Sequence, residues 1–149
     1  LLRMATPYAV DAQRRATPTS VAAQSLTTAS GLISTARDYA QFDLAVRTGV
    51  LVRPETLAAA WRPPQDASGR PLPHGIGWFV QTYNGEPVVW QFGVAEDQGS
   101  SSMTMTLPAR GVTLILMANS TGLVRSFPLD KGDIGTSPFA RLFIGLFAR

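Results

Sequence analysis

The sequence predicts an α+β domain: an antiparallel β-sheet meander of about four strands, flanked by helices. Asn84-Gly85 lies between two runs in which Trp78, Val80 and Thr82 alternate with Phe79, Gln81 and Tyr83 before the chain returns. That dipeptide supplies the positive φ angles of a type I′ hairpin turn. Two further β-rich runs, 100–107 and 112–118, follow with Pro108-Ala109-Arg110-Gly111 between them as a turn. Capped helical patterns stand before and after this block, and helices segregated from consecutive strands read as α+β.

Taken in order, residues 1–30 are rich in Ala, Thr, Ser and Gln, with Pro7 and Pro18, and read as an extended connection. Thr35 and Asp38 have capping-box spacing, with Asp in place of the usual Glu or Gln. Ala36, Tyr39, Ala40, Phe42 and Val46 then fall on or near one helical face. Gly49 supplies a left-handed residue to end that helix. Pro54 and Glu55 open a second helix through Trp61, and Pro63-Pro64 stops it. Residues 65–74 form a polar loop. Strands are expected at 78–83, 88–92, 100–107 and 112–118; the last is a continuous apolar run whose periodicity alone does not exclude helix. A long loop covers 120–136. Ser137 as N-cap and Pro138 at the first helical position start a final helix over 139–148.

With 149 residues, 45% of them apolar, the chain can form one domain with one core. Only 15% of residues are charged, as in a packed globule. Net charge is +3, yet the twelve arginines are scattered and only Arg14-Arg15 are adjacent. Without a basic stripe interleaved with aromatics, nucleic acid is not an expected partner. The absence of cysteine removes disulfides, thiolate metal sites and cysteine nucleophiles, and leaves the compartment open. One histidine, His74, cannot build a histidine-based metal site. No run reaches the roughly 18 apolar residues of a membrane span. No cofactor is expected.

Several blocks together resemble one family. Ser30-Gly31-Leu32-Ile33-Ser34-Thr35-Ala36-Arg37-Asp38, Gly75-Ile76-Gly77-Trp78, and Pro108-Ala109-Arg110-Gly111 through Ala118-Asn119-Ser120 are similar, in order and spacing, to blocks of the serine β-lactamase and penicillin-binding-protein superfamily. Pro7-Tyr8-Ala9-Val10-Asp11 and Ser137-Pro138-Phe139-Ala140-Arg141 resemble a narrower, β-lactamase-related branch. The resemblance covers nearly the whole chain. It implies a partial β-lactamase/transpeptidase-like fold, with 1–149 as one partial, C-terminal domain. The start at Leu1-Leu2-Arg3-Met4 is read as lying inside a longer reading frame.

The family's chemistry uses three parts. A Ser-x-x-Lys helix start supplies the nucleophile and its activating lysine, and a Tyr-x-Asn or similar loop supplies a second base. A strand triplet, Lys-Thr-Gly or His-x-Gly, supplies a cation or imidazole and a backbone N–H for the oxyanion hole. Trp90-Gln91-Phe92-Gly93, read at a strand end, resembles the third part, with Gln91 at the polar first position and Gly93 as the glycine. By the family pattern, the N–H of Val94 would be the second oxyanion donor. Glutamine carries no charge and relays no proton, but it can donate a hydrogen bond to a substrate carboxylate or carbonyl. Ser-x-x-Lys occurs nowhere in the chain; the nearest imitation, Ser34-Thr35-Ala36-Arg37, ends in an arginine that cannot act as a base. Tyr8-Ala9-Val10 is not Tyr-x-Asn.

These observations imply the C-terminal portion of a β-lactamase-like serine hydrolase acting on a small acyl substrate (a β-lactam, a peptide or an ester). Gln91, Phe92, Gly93 and Val94 would form a substrate-binding wall with no catalytic residue in this chain, inactive without its N-terminal half. The alternative is a non-catalytic binding module derived from the same family, which the neutral Gln91 favours.

Other features read as structural. His74 packs ahead of a strand. Gly75-x-Gly77 opens a strand and lacks a third glycine, so it is not a dinucleotide fingerprint. Ser100-Ser101-Ser102 lacks a nucleophile elbow. Glu96 and Asp97 could shape substrate entry or simply be solvated. Asn119-Ser120-Thr121 fits a glycosylation sequon, a match common by chance.

Overall fold

A computed structural model of the chain describes residues 4–21, 27 and 31–148. Its centre is a four-stranded antiparallel sheet formed by β3 (Phe79–Tyr83), β4 (Glu86–Ala95), β5 (Ser100–Leu107) and β6 (Val112–Ala118), paired in sequence order. Preceding it are β1 (Tyr8–Val10), β2 (Ala16–Pro18), α1 (Ala36–Arg47) and α2 (Pro54–Ala60); α3 (Pro138–Phe147) closes the chain. The α+β class is as expected.

Local chemistry sets the boundaries. Thr35 caps α1 by accepting the Asp38 N–H at 3.1 Å, and Gly49 follows with φ +82°. Asn84 and Gly85 both have positive φ, so β3 and β4 meet in the tight hairpin the dipeptide demands. Ser137 caps α3, with Pro138 inside its first turn.

The sheet's two faces are packed differently. Val88, Trp90, Met103, Met105 and Leu107 point one way and are buried with Phe143, Ile144 and Ala140 of α3. Phe79, Trp90 and Phe92 stack along this face, the first two with ring centroids 4.2 Å apart. On the opposite face α1 lies over Val89, Thr104 and Thr106. It is anchored there by Asp43, which accepts from Arg47 at 2.9 Å and from the Thr113 hydroxyl at 3.0 Å.

Two expectations are corrected. The stretch 1–30 is not wholly an extended connection: β1 and β2 pair as a small antiparallel hairpin. Its turn is organised by Asp11, which accepts the N–H groups of Gln13 and Arg15 and the Arg15 guanidinium. Residues 22–26 and 28–30 of that stretch, including Ser30 of the family block, lie outside the described residues. The second correction concerns Gln91, which does not end its strand. β5 offers Ser100 to Thr104 as partners, so the β4 ladder continues to Ala95. The loop 120–136 contains three short 3-10 turns.

Far from the Gln91 face, Arg110 of the β5–β6 turn clasps Glu86 of the β3–β4 turn. The guanidinium's hydrogen bonds hold Glu86 below the usual carboxylate range. In the loop before β3, the Ser68 hydroxyl, with help from the Arg70 N–H, pulls Asp66 down to about 2. A depressed folded-state value stabilises the fold above the unfolded value and is lost as pH falls through the folded one. The urea midpoint should therefore fall on acidification below about pH 4.5. Glu86→Gln should flatten the upper part of this limb, and Asp66→Asn the part reaching towards pH 2. Midpoint-versus-pH curves superimposable on that of the unmodified chain would show that neither carboxylate is linked to folding.

Candidate functional site

Hydrogen-bond parity places the candidate residues. In a two-residue hairpin the closing pair, here Tyr83 and Glu86, exchanges both backbone bonds, and alternate pairs do so thereafter. Residues 79, 81 and 83 therefore bond to 90, 88 and 86. The Val80 N–H, which must then point away from β4, donates to the Pro73 carbonyl at 2.8 Å, in agreement. On β4 the even residues point to β3 and the odd ones to β5.

β3 begins at Phe79, opposite Trp90. From Phe92 onward, the β3 side of β4 has no strand beside it among the described residues. The main-chain groups of Phe92 and Val94 point into that opening. Gln91 and Gly93 pair instead with Thr104 and Ser102 of β5. Gln91 is thus interior to its own strand yet the first residue beyond the end of its neighbour.

The side chains alternate accordingly. Gln91, Gly93, Ser102 and Thr104 share the α1 face, and Gln91 is exposed beyond the part that α1 covers. Gly93 keeps this strip low: a Cβ there would lie 3.0 Å from the Ser102 hydroxyl. The Phe92 ring turns to the other face and packs in the aromatic stack, so Phe92 offers the opening only its backbone. Val94 is exposed and presents its N–H at the open edge. The structure therefore brings Gln91 and Gly93 onto one surface and the Phe92 and Val94 main chain onto the adjoining rim.

The remaining sequence candidates separate from this site or turn out to be structural. Ser101 is buried, donating to the Ser120 carbonyl at 2.6 Å and accepting from the Leu123 N–H. His74 bridges to Phe79 and packs against its ring in a tilted arrangement, centroids 4.2 Å apart. Gly75 is needed for close approach: its N–H donates to the Trp78 carbonyl, and a Cβ would collide with the Ala60 carbonyl. Glu96 is exposed and 3.9 Å from Arg125. Asn119 donates its side-chain N–H to the Thr6 carbonyl, binding the N-terminal hairpin to the end of β6. Among the described residues, no cluster of His, Cys, Asp and Glu could hold a metal, and no helix is long and apolar enough to cross a membrane.

Sequence reasoning extends the wall from Gln91 to Gln98 but misses the β1–β2 hairpin packed at its far end. Gln98 is buried, and its carbonyl accepts from the Thr19 hydroxyl at 2.9 Å. Gly99 passes so close to Tyr8 that a Cβ would lie 2.5 Å from its carbonyl oxygen. A glycine at position 99, which adopts positive φ, is a legible hint of a turn, but nothing in the sequence announces what packs on it.

Gln91, Ser102 and Thr104 are neutral hydrogen-bonding groups, and the rim adds backbone N–H donors. Such a surface can bind and polarise an acyl group; it offers no group that takes up a proton near neutral pH.

No curated protein and no solved structure matches the chain. The family model described as Beta-lactamase matches residues 2–135. That match spans most of the chain and includes the helix entry, the meander and the Gln91 strand, so this chain belongs to the β-lactamase family.

Proposed function

We propose that the chain supplies the sheet-side wall of a β-lactamase-like serine hydrolase. Substrate would lie along β4 past Trp90. The Val94 N–H would donate to the oxygen of the substrate carbonyl as negative charge develops there, and the Gln91 amide would hold a substrate carbonyl or carboxylate. The observation carrying this reading is the β4 edge beyond Phe79, where backbone donors adjoin a neutral polar strip. An oxyanion donor of this kind contributes roughly 10²–10³ in rate. The nucleophile must come from a Ser-x-x-Lys segment that this sequence does not contain.

Incubated with a chromogenic β-lactam or with p-nitrophenyl acetate, the chain alone should show no burst and no turnover. Its intact mass should gain no acyl group. Backbone amide signals of Gln91, Gly93 and Val94 should nevertheless shift at millimolar β-lactam. A covalent acyl adduct would contradict the division of labour proposed here. Unmoved amide signals would remove the binding wall. Micromolar binding without acylation would favour a recognition module instead, the reading to which the neutral Gln91 lends support.

A further inference from the structure

The chemistry of the β4 wall narrows the class of substrate, an inference that rests on the function proposed above. Gln91 pairs with Thr104 and Gly93 with Ser102, so these residues share one face. Among the described residues, none hydrogen-bonds the Gln91 carboxamide or the Ser102 and Thr104 hydroxyls. Gly93 leaves Ser102 accessible: a Cβ at position 93 would lie 3.0 Å from the Ser102 hydroxyl oxygen. A group resting on Gly93 would thus have an amide two positions back along β4 and a hydroxyl directly across on β5.

No ionisable side chain interrupts this surface. Residues 87–95 of β4, 100–109 through β5 and 111–124 through β6 contain none, nor does the stretch 16–36 that leads into α1. Past the strip, β4 runs into two acidic residues, Glu96 and Asp97. Arg125 lies 3.9 Å from Glu96, Arg110 clasps Glu86 and Arg47 bonds Asp43. Arg37 is followed directly by Asp38 at the start of α1. Each of these arginines thus stands beside a carboxylate of its own chain. A substrate carboxylate on the strip would exchange water for neutral donors, without the opposite charge that makes charge-assisted bonds strong. An uncharged carbonyl gives up less hydration, and one N–H or O–H donor satisfies it.

We infer that this wall selects acyl compounds that are uncharged where they meet Gln91, with an ester or amide in place of a carboxylate. The Ser102 hydroxyl is a specificity-determining contact beside it. The Gln91 carboxamide both donates and accepts, so it matches an amide group of the substrate at the carbonyl and at the N–H. Glu96 and Asp97 at the end of the strip add to the selection by disfavouring a second negative charge.

Backbone amide titrations of the 149-residue chain with benzylpenicillin methyl ester and with benzylpenicillin test this, because the two compounds differ at the carboxylate alone. Shifts at Gln91, Gly93 and Val94 should give the ester a Kd about threefold or more below that of the acid. The ester's Kd should not change between about 20 and 300 mM salt. Gln91→Lys adds a cation at an exposed position and should reverse the order, with the acid now tighter and salt-sensitive. That reversal separates charge selection from the ester's greater apolar character. Ser102→Ala should raise the ester's Kd about threefold, through the loss of one hydrogen bond. An acid that binds the unmodified chain as tightly as the ester, or an order that survives Gln91→Lys, would overturn the selectivity and leave the wall standing. An ester Kd unchanged by Ser102→Ala would overturn the assignment of Ser102. If neither compound moves these amides, the wall itself fails, and the selectivity with it.

Discussion

Trp90→Ala is expected to lower the unfolding free energy by about 3–5 kcal/mol, the range for truncating a fully buried large aromatic. Trp90 has no solvent-exposed surface and belongs to the aromatic stack, with Phe79 at 4.2 Å and Phe92 at 6.1 Å. It also pairs with Met105 across to β5, so its removal opens a cavity that a single rotamer change cannot fill. Domains of this size have about 5–15 kcal/mol in total, and the variant should therefore be marginally folded. Trp90→Phe is the informative companion. Its ring can keep the stacking, and it removes an indole N–H that is buried with no hydrogen-bond partner among the described residues. An orphaned buried donor costs about 1–3 kcal/mol, which offsets part of the lost area. Phenylalanine should thus recover most of the urea midpoint that alanine loses. A Trp90→Ala midpoint within about 1 kcal/mol of the unmodified chain would mean that the aromatic stack is not the centre of the core.

Gly75→Ala should be nearly as damaging, for a different reason. Gly75 has no positive φ to preserve. What it lacks is room: an added Cβ would lie inside the van der Waals envelope of the Ala60 carbonyl and 3.3 Å from a Val80 methyl. The Ala60 carbonyl is main chain and already accepts the Ile76 N–H at 2.7 Å, so it cannot turn aside freely. Either α2 shifts away from the start of β3 or that bond breaks. Overpacking costs about 1–3 kcal/mol and a lost hydrogen bond about 1 more. Gly77 is the control. It has φ +81°, and a methyl added there would meet no atom within 4 Å. Gly77→Ala therefore isolates the conformational penalty of roughly 1–2 kcal/mol. Chemical denaturation of both variants separates the two causes. If Gly75→Ala proves the milder, the close approach of α2 to β3 is not maintained in solution.

Much of the fold is legible in the sequence because its signals are local. The spans of β5 and β6 agree with expectation residue for residue. The Asn84-Gly85 turn, the Thr35 and Ser137 caps and the stops at Gly49 and Pro63 each depend on chemistry within a few positions. The β1–β2 hairpin gives no such signal, because its strands are three residues each, largely exposed, and organised by the Asp11 side chain rather than by alternating apolar residues. Strand β4 runs past its expected end because its far half is held by β5 alone, a tertiary fact absent from its own composition. For the site, motif resemblance identifies Gln91 and Gly93, but only the register reveals that Phe92 faces the core and that the β3–β4 pairing stops one residue before Gln91.

The sheet order itself has a kinetic consequence. Because β3, β4, β5 and β6 pair strictly with their neighbours in sequence, each new pairing closes only a short turn. The entropic barrier to searching for partners is correspondingly low, and hairpins of this kind form in about 1–10 µs. The bond from Asn119 to Thr6 is the opposite case, joining residues 113 positions apart. The meander should therefore assemble as it emerges, strand upon strand, while docking of the N-terminal hairpin waits for the end of β6 and forms a separate, later phase.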